Sequence, residues 1–227
     1  MIILRSITKR YGNHLVLNGI DAEFEEGRAY GIIGENGAGK STLFRCICGL
    51  ESFTGEITTK ETHLKDVLGF LPTEPFYFPR MTGREYLTLL CTARGIHPTG
   101  IDAKNVFDLP LDDYAAVYST GMKKKLAFLG LLLQENEVFI LDEPFNGVDI
   151  ESNLLMSEII RALRKSGKTL LISSHIFSTL SDVCDEILLL RQGVFESRHS
   201  KDDFQALENR MKAGSIGNRL DRLGLKS

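Results

Sequence analysis

The segment GENGAGKST, Gly34 to Thr42, sets three glycines ahead of Lys40, Ser41 and Thr42. It satisfies the GxxxxGK[ST] spacing and lies between an apolar run, RAYGII, and a stretch of helical pattern. Glycines let successive backbone N–H groups turn inward, and a helix starting near Lys40 adds the positive end of its dipole. Residues Gly34, Glu35, Asn36, Gly37, Ala38 and Gly39 therefore read as a cradle for phosphate. Lys40 would reach the β- and γ-phosphates of a nucleoside triphosphate, Ser41 would place its hydroxyl on Mg2+, and Thr42 would support the α- or β-phosphate.

A second constellation lies downstream, where the apolar run VFIL delivers Asp142 and Glu143 just before Pro144. Buried strands seldom end on two carboxylates without a cation or water to receive the charge. Asp142 would support Mg2+, and Glu143 would polarise an attacking water as general base. His175 follows TLLISS in the same way; alone, such a histidine is usually a packed or surface residue, so its role depends on its neighbours.

The third stretch is VYSTGMKKKLAF, residues 117 to 128. With Ser119 or Thr120 as N-cap, Lys123, Lys124 and Lys125 fall in or near the first helical turn, where cations oppose the helix dipole. Three readings are open: a solvated helix start, a nucleic-acid or membrane patch, or a helix end whose partner is an anion.

The elements that must position these residues follow from pattern. Residues 1 to 25 alternate as antiparallel strands about a turn at Tyr11-Gly12-Asn13. RAYGII is a short buried strand, followed after the glycine loop by a helix from Lys40 to about Gly49. ESFTGEITTK reads as another hairpin element, and VLGFLP as a strand stopped by Pro72. From there to about Glu137 helical periodicity dominates, in REYLTLLCTARGI and KKLAFLGLLLQ. Strands return in EVFILDEP, TLLISSH, DEILLL and GVFESR, with SNLLMSEIIRALRKSG a helix between the first two. The tail from Lys201 carries two weak helical patterns, and its last residues read as mobile. The fold class is α/β: a mostly parallel sheet flanked by helices, with an N-terminal antiparallel β element and an inserted helical subdomain. We read 1–227 as one domain, its core at about 1–72 and 137–200, the helical subdomain at about 73–136, and the tail at about 201–227.

With 227 residues the chain can bury a sizeable core without staples. A net charge of −3 lacks the basic excess of most dedicated nucleic-acid binders. Four scattered cysteines form no CxxC pair, which points away from a zinc site or disulfide framework and towards a reducing cytoplasm. The longest apolar run, LAFLGLLL, is far short of a membrane span.

GENGAGKST, STGMKKKL, VFILDEP with the following Gly147-Val148-Asp149, and ISSH, in this order, resemble the ATP-binding cassette (ABC) family of transporter ATPases over about residues 1 to 197. The resemblance implies that Tyr11 stacks on adenine, that STGM is the signature loop, that Asp149 belongs to a loop between subunits, and that His175 contacts the γ-phosphate. It implies ATP and Mg2+ as cofactors. It also implies a head-to-tail pair in which Ser119 and Gly121 of one cassette face the nucleotide on the other, most simply as a homodimer. At most one or two of the lysines would then help the phosphates, the others facing water or a membrane subunit.

Two departures stand out. The signature is Tyr118-Ser119-Thr120-Gly121-Met122 where LSGGQ is common in the family, and Thr73 and Glu74 follow GFLP where a glutamine is usual. Thr73 is shorter than a glutamine amide, and Glu74 would substitute only if the loop shifts by one residue, so the metal-side ligand at this position is open. Phe76, Tyr77 and Phe78 read equally as anchors for a membrane partner or as packing for the helical subdomain.

The resemblance implies an ATPase that powers a transporter, most like the prokaryotic exporters. The cassette would sit on the cytoplasmic face of the membrane through a separate permease, with no nucleic-acid partner. Two alternatives are a soluble cassette ATPase acting on nucleic acid or ribosomes, and a low-turnover ATP-binding regulator.

Overall fold

The computed structural model describes residues 1–60 and 64–212. Two strands open the chain, β1 (Ile2–Tyr11) and β2 (His14–Phe24), paired antiparallel about the tight turn read from the sequence. Next comes β3 (Ala29–Ile33), then α1 (Lys40–Ile47) and β4 (Thr54–Thr59). In place of a hairpin of its own, β4 pairs antiparallel with β1, giving a three-stranded sheet of order β2-β1-β4. Its alternating pattern is that of an edge strand, and β1 was the edge open to it.

The second sheet contains β3 and five later strands: β5 (Leu68–Leu71), β6 (Val138–Asp142), β7 (Thr169–Ser174), β8 (Glu186–Arg191) and β9 (Val194–Ser200). Their order is β5-β6-β7-β3-β8-β9, parallel throughout except for the final β8-β9 pair. The sequences AYGII, VFILD and TLLISS are buried at every residue, as strands covered on both faces must be.

The helices are α1, a short α2 (Leu64–Val67), α3 (Gly83–Thr92), α4 (Thr120–Leu133), α5 (Ile150–Lys165), α6 (Phe177–Val183) and α7 (Phe204–Lys212). The periodicity had indicated α3, α4 and α5; α6, only seven residues long, carries too few turns for a periodic signal. Thr82 closes a capping box with Glu85 at the start of α3. One apolar cluster fills the space between the two sheets around α1, with Leu4, Leu17, Phe24, Ile32, Leu43 and Phe44 at its centre. The other covers the opposite sheet face and runs continuously into α3 and α4 through Leu87, Phe128, Phe139 and Leu170. The run LAFLGLLL is thus a core-facing helix. Among the described residues no helix is long and apolar enough to cross a membrane. The second helical pattern of the tail lies outside the described residues.

This topology positions the chemistry. In a parallel sheet the strands all end on one edge, and that edge is where ligands bind in open α/β sheets. The glycine loop leaves β3, Asp142 ends β6, and His175 follows β7. Thr73 lies two residues beyond β5.

Candidate functional site

Backbone shape comes first in the glycine loop. Gly37 and Gly39 have φ of 83° and 108°, which side-chain-bearing residues rarely adopt. A Cβ on Gly34 would lie 2.4 Å from the Leu190 carbonyl of β8. Helix α1 begins at Lys40 with no side-chain cap, so its first N–H groups remain available to an anion. Glu35, Asn36, Gly37 and Ser41 face solvent, and Thr42 is half-buried. Lys40 is buried, and its ammonium donates to the carbonyls of Gly34 (2.8 Å) and Glu35 (3.3 Å).

Three predicted residues meet here. Lys40 Nζ lies 3.7 Å from Glu143 Oε1, and His175 Nδ1 lies 2.9 Å from Glu143 Oε2. The histidine thus has the neighbours that its position alone could not show. Glu143 is nearly buried, and its backbone is left-handed with φ of 51°.

Asp142 is 2% exposed and accepts hydrogen bonds from Ser173 Oγ on Oδ1 and, at 2.7 Å, from Thr73 Oγ1 on Oδ2. The Thr73 hydroxyl reaches this carboxylate because β5 lies directly beside β6, Leu71 opposite Leu141. Glu74 is exposed and sits on the far side of Pro72 from the strand. Among the described residues Asp142 has no ion pair, so a buried carboxylate stands ready for a cation. Its carboxylate and the Ser41 hydroxyl are the hard oxygen donors that suit Mg2+, which takes few protein ligands and completes its shell with phosphate and water.

Sequence reasoning missed Ser173, which donates to Asp142 and accepts the Glu143 N–H at 3.0 Å. The signal was present: two serines at the end of an otherwise apolar strand, next to His175. It became specific only once β7 was paired with β6, Asp142 opposite Ser173.

Two of the lysines at the start of α4 turn inward, Lys124 onto a backbone carbonyl and Lys125 onto an anion of the same chain. Ser119 is the N-cap, accepting from the Met122 N–H. Lys124 is 1% exposed, and its ammonium donates to the Glu143 carbonyl at 2.7 Å. Lys125 reaches Asp149 Oδ2 (3.1 Å) and Ser152 Oγ (3.0 Å). These two lysines face neither water nor a partner, because the turn packs against the segment from Glu143 to Ser152. Burial depresses the Lys124 ammonium, although Glu143, Asp142 and Glu74 pull in the opposite direction. Asp149 caps α5, and the Ser152 N–H and hydroxyl, with Lys125, hold its carboxyl well below the usual range.

Other predicted residues lie apart from this centre. Among the described residues no hydrogen bond or ion pair joins Tyr11, Ser119 or Gly121 to residues 34–42. Tyr11 is 45% exposed at the end of β1, with the Lys9 ammonium 4.7 Å from its ring centroid. Gly121 packs inside its own chain, where a Cβ would come within 2.7 Å of the Gly147 carbonyl. Of the three aromatics, Tyr77 is buried and donates to the Lys123 carbonyl, while Phe76 and Phe78 are 73% and 53% exposed. The packing reading thus holds for Tyr77 but not for Phe76 or Phe78. A groove of about 260 Å³ beside them is lined by Phe70, Pro75, Phe76, Tyr86, Leu90 and Arg94, among others.

Comparison with known proteins agrees with this geometry. Residues 17–146 match the ABC transporter family. The uncharacterized ABC transporter ATP-binding protein YhaQ of Bacillus subtilis is 32% identical over 206 residues, 85% of this chain and 69% of the relative. The lantibiotic transport ATP-binding protein SrtF of Streptococcus pyogenes is 31% identical over 216 residues, 92% of this chain and 94% of the relative. The solved structure of an ATP-binding subunit of an ABC transporter superposes with a TM-score of 0.79 at 26% identity, covering 92% of this chain and 93% of that one. With its motifs gathered on one sheet edge and its similarity extending along most of its length, the chain belongs to the ABC transporter family, among the ATP-binding subunits.

Proposed function

We propose that the chain hydrolyses ATP to drive a membrane exporter, working as a pair of cassettes that close on nucleotide. The observation that carries this reading is the convergence on Glu143, with Lys40 3.7 Å from one carboxylate oxygen and His175 2.9 Å from the other. Lys40 binds and neutralises the β- and γ-phosphates, and the loop N–H groups hold their oxygens. Glu143 takes a proton from the attacking water as its oxygen bonds to the γ-phosphorus. The bond from that phosphorus to the bridging oxygen breaks, releasing ADP and phosphate. His175 orients the Glu143 carboxylate and contacts the γ-phosphate. Ser41 and Asp142 would hold Mg2+, which would supply neutralisation of phosphate charge. Thr73 acts through Asp142, to which it is bonded.

Tyr11 offers the adenine the ring face away from Lys9. Ser119 and Gly121 serve the nucleotide on a second copy, and Asp149 lies at the junction of the two. Residues 73–136 form the helical subdomain between the two parts of the core, at about 1–72 and 137–200. A separate permease docks on the groove beside Phe76 and Phe78, exposed aromatics of the kind that anchor interfaces, and so holds the cassette at the cytoplasmic face. Export is supported by the Nod factor export ATP-binding protein I of Burkholderia orbicola, 31% identical over 210 residues, and transport by the lantibiotic relative, similar over nearly its whole length.

Glu143→Gln tests the reading. Hydrolysis should fall by at least about a hundredfold, while ATP with Mg2+ shifts the protein to a dimer in size-exclusion chromatography. Hydrolysis at the parental rate would remove Glu143 from the role of base. Marked stimulation of the ATPase by DNA or RNA would favour the nucleic-acid alternative.

A further inference from the structure

We propose that Lys124 is a positioning residue for Glu143: its buried ammonium grips the Glu143 carbonyl and fixes the backbone turn that aims the carboxylate at the phosphate site. The inference rests on the reading of Glu143 as general base.

Glu143 must leave β6 and turn at once, and it does so with φ of 51°, a conformation that a side-chain-bearing residue holds only when its surroundings impose it. Both of its backbone polar groups are pinned from other elements. The N–H is held by Ser173 Oγ on β7, and the carbonyl by Lys124 Nζ at 2.7 Å. With both groups held, the φ and ψ of Glu143 are fixed together, and so is the direction of its Cα–Cβ bond relative to Lys40 and His175.

Lys124 is well suited to this task. Its ammonium is buried, a costly placement that only bonded partners and nearby carboxylates offset. A leucine or methionine would pack there at lower cost, so the residue type points to its donor. The backbone that carries it is held from behind, because Tyr77 Oη donates to the carbonyl of the preceding residue, Lys123. The aromatic loop and the base are therefore tied to the same turn of α4.

The test uses the full chain. In Lys124→Met, which keeps the stem and loses the donor, kcat for ATP hydrolysis should fall by about tenfold or more, in the range that misplacing a catalytic group costs. KM and the Kd for a fluorescent ATP analogue should stay within about twofold. Lys124→Arg, which retains a donor, should recover most of the rate. In a Glu143→Gln background, Lys124→Met should cause no further loss, since it acts through the group already removed. Parental kcat in Lys124→Met, additive losses in the double variant, or nucleotide affinity falling as far as kcat would overturn the proposal. If Lys124→Met does not fold, Lys124→Gln, whose amide stops short of the carbonyl, takes its place in each comparison. Hydrolysis undiminished in Glu143→Gln would sink the assignment of the base. Hydrolysis lost there but intact in Lys124→Met would sink only the positioning role.

Discussion

Lys40 at the start of α1 and Lys124, the fifth residue of α4, are both buried, 7% and 1% exposed, yet their ammonium groups have different kinds of partner. Lys40 donates to carbonyls five and six residues earlier, inside the loop that the glycines shape. Lys124 donates to a carbonyl nineteen residues later, on another element. A cation near a helix N-terminus opposes the dipole in either place. In α1 the glycine loop, read as a phosphate cradle, gives that charge a purpose that can be proposed from the local sequence. In α4 the purpose arrives only when the segment from Glu143 to Ser152 packs over the turn, so charge and spacing alone left three readings open.

The contrast can be broken or sharpened by experiment, beginning with the largest effect. Lys40→Ala should weaken ATP binding by roughly two orders of magnitude, measured by fluorescence titration, because a buried charge pair with phosphate is lost. Unchanged affinity would mean that Lys40 serves only its own loop. Gly34→Ala should lower the thermal midpoint by roughly 5 °C without nucleotide, since its Cβ meets a fixed backbone carbonyl of β8. An unshifted midpoint would show that the loop and β8 can separate.

Asp149→Asn keeps a competent cap and loses only the charge opposite Lys125, so the midpoint should fall by at most a few degrees at neutral pH. The sign of its pH dependence follows from the depressed carboxyl. Its contribution is fully present above the ordinary carboxylate pKa of about 4 and is lost as pH falls through the lower folded value. The gap between parent and variant should therefore hold from pH 7 to about 5 and close below about 4. A gap that widens in acid would contradict the assignment. The smallest effect concerns Cys46 and Cys48, whose thiols burial pushes up to about 11 and about 12. Both should label slowly with iodoacetamide in the native protein at pH 8 and readily after unfolding.

The two regions also divide what could be read in advance. The antiparallel opening strands, β3, α1, β5 through β9 and the main helices follow from periodicity and turn residues. ESFTGEITTK did not, because an alternating strand reveals its faces but not its neighbour. Thr73 shows the same limit. From sequence it is a short side chain where the family usually has a longer one, whereas beside β6 it is bonded to Asp142. Phe76, Tyr77 and Phe78 form one aromatic run in the sequence, and only packing separates the buried tyrosine from the exposed phenylalanines.

By itself, the sequence determined the glycine loop and the helix after it, the paired carboxylates, the histidine after its strand and the α/β class. Each of these is written in short-range spacing, where backbone geometry and strand or helix period constrain the residues directly. Tertiary structure decided which of these groups touch, that Ser173 and Thr73 share Asp142, and that Lys124 and Lys125 turn inward. Those contacts join residues 19 to 103 positions apart, and their partners are fixed by strand order and helix packing rather than by local pattern.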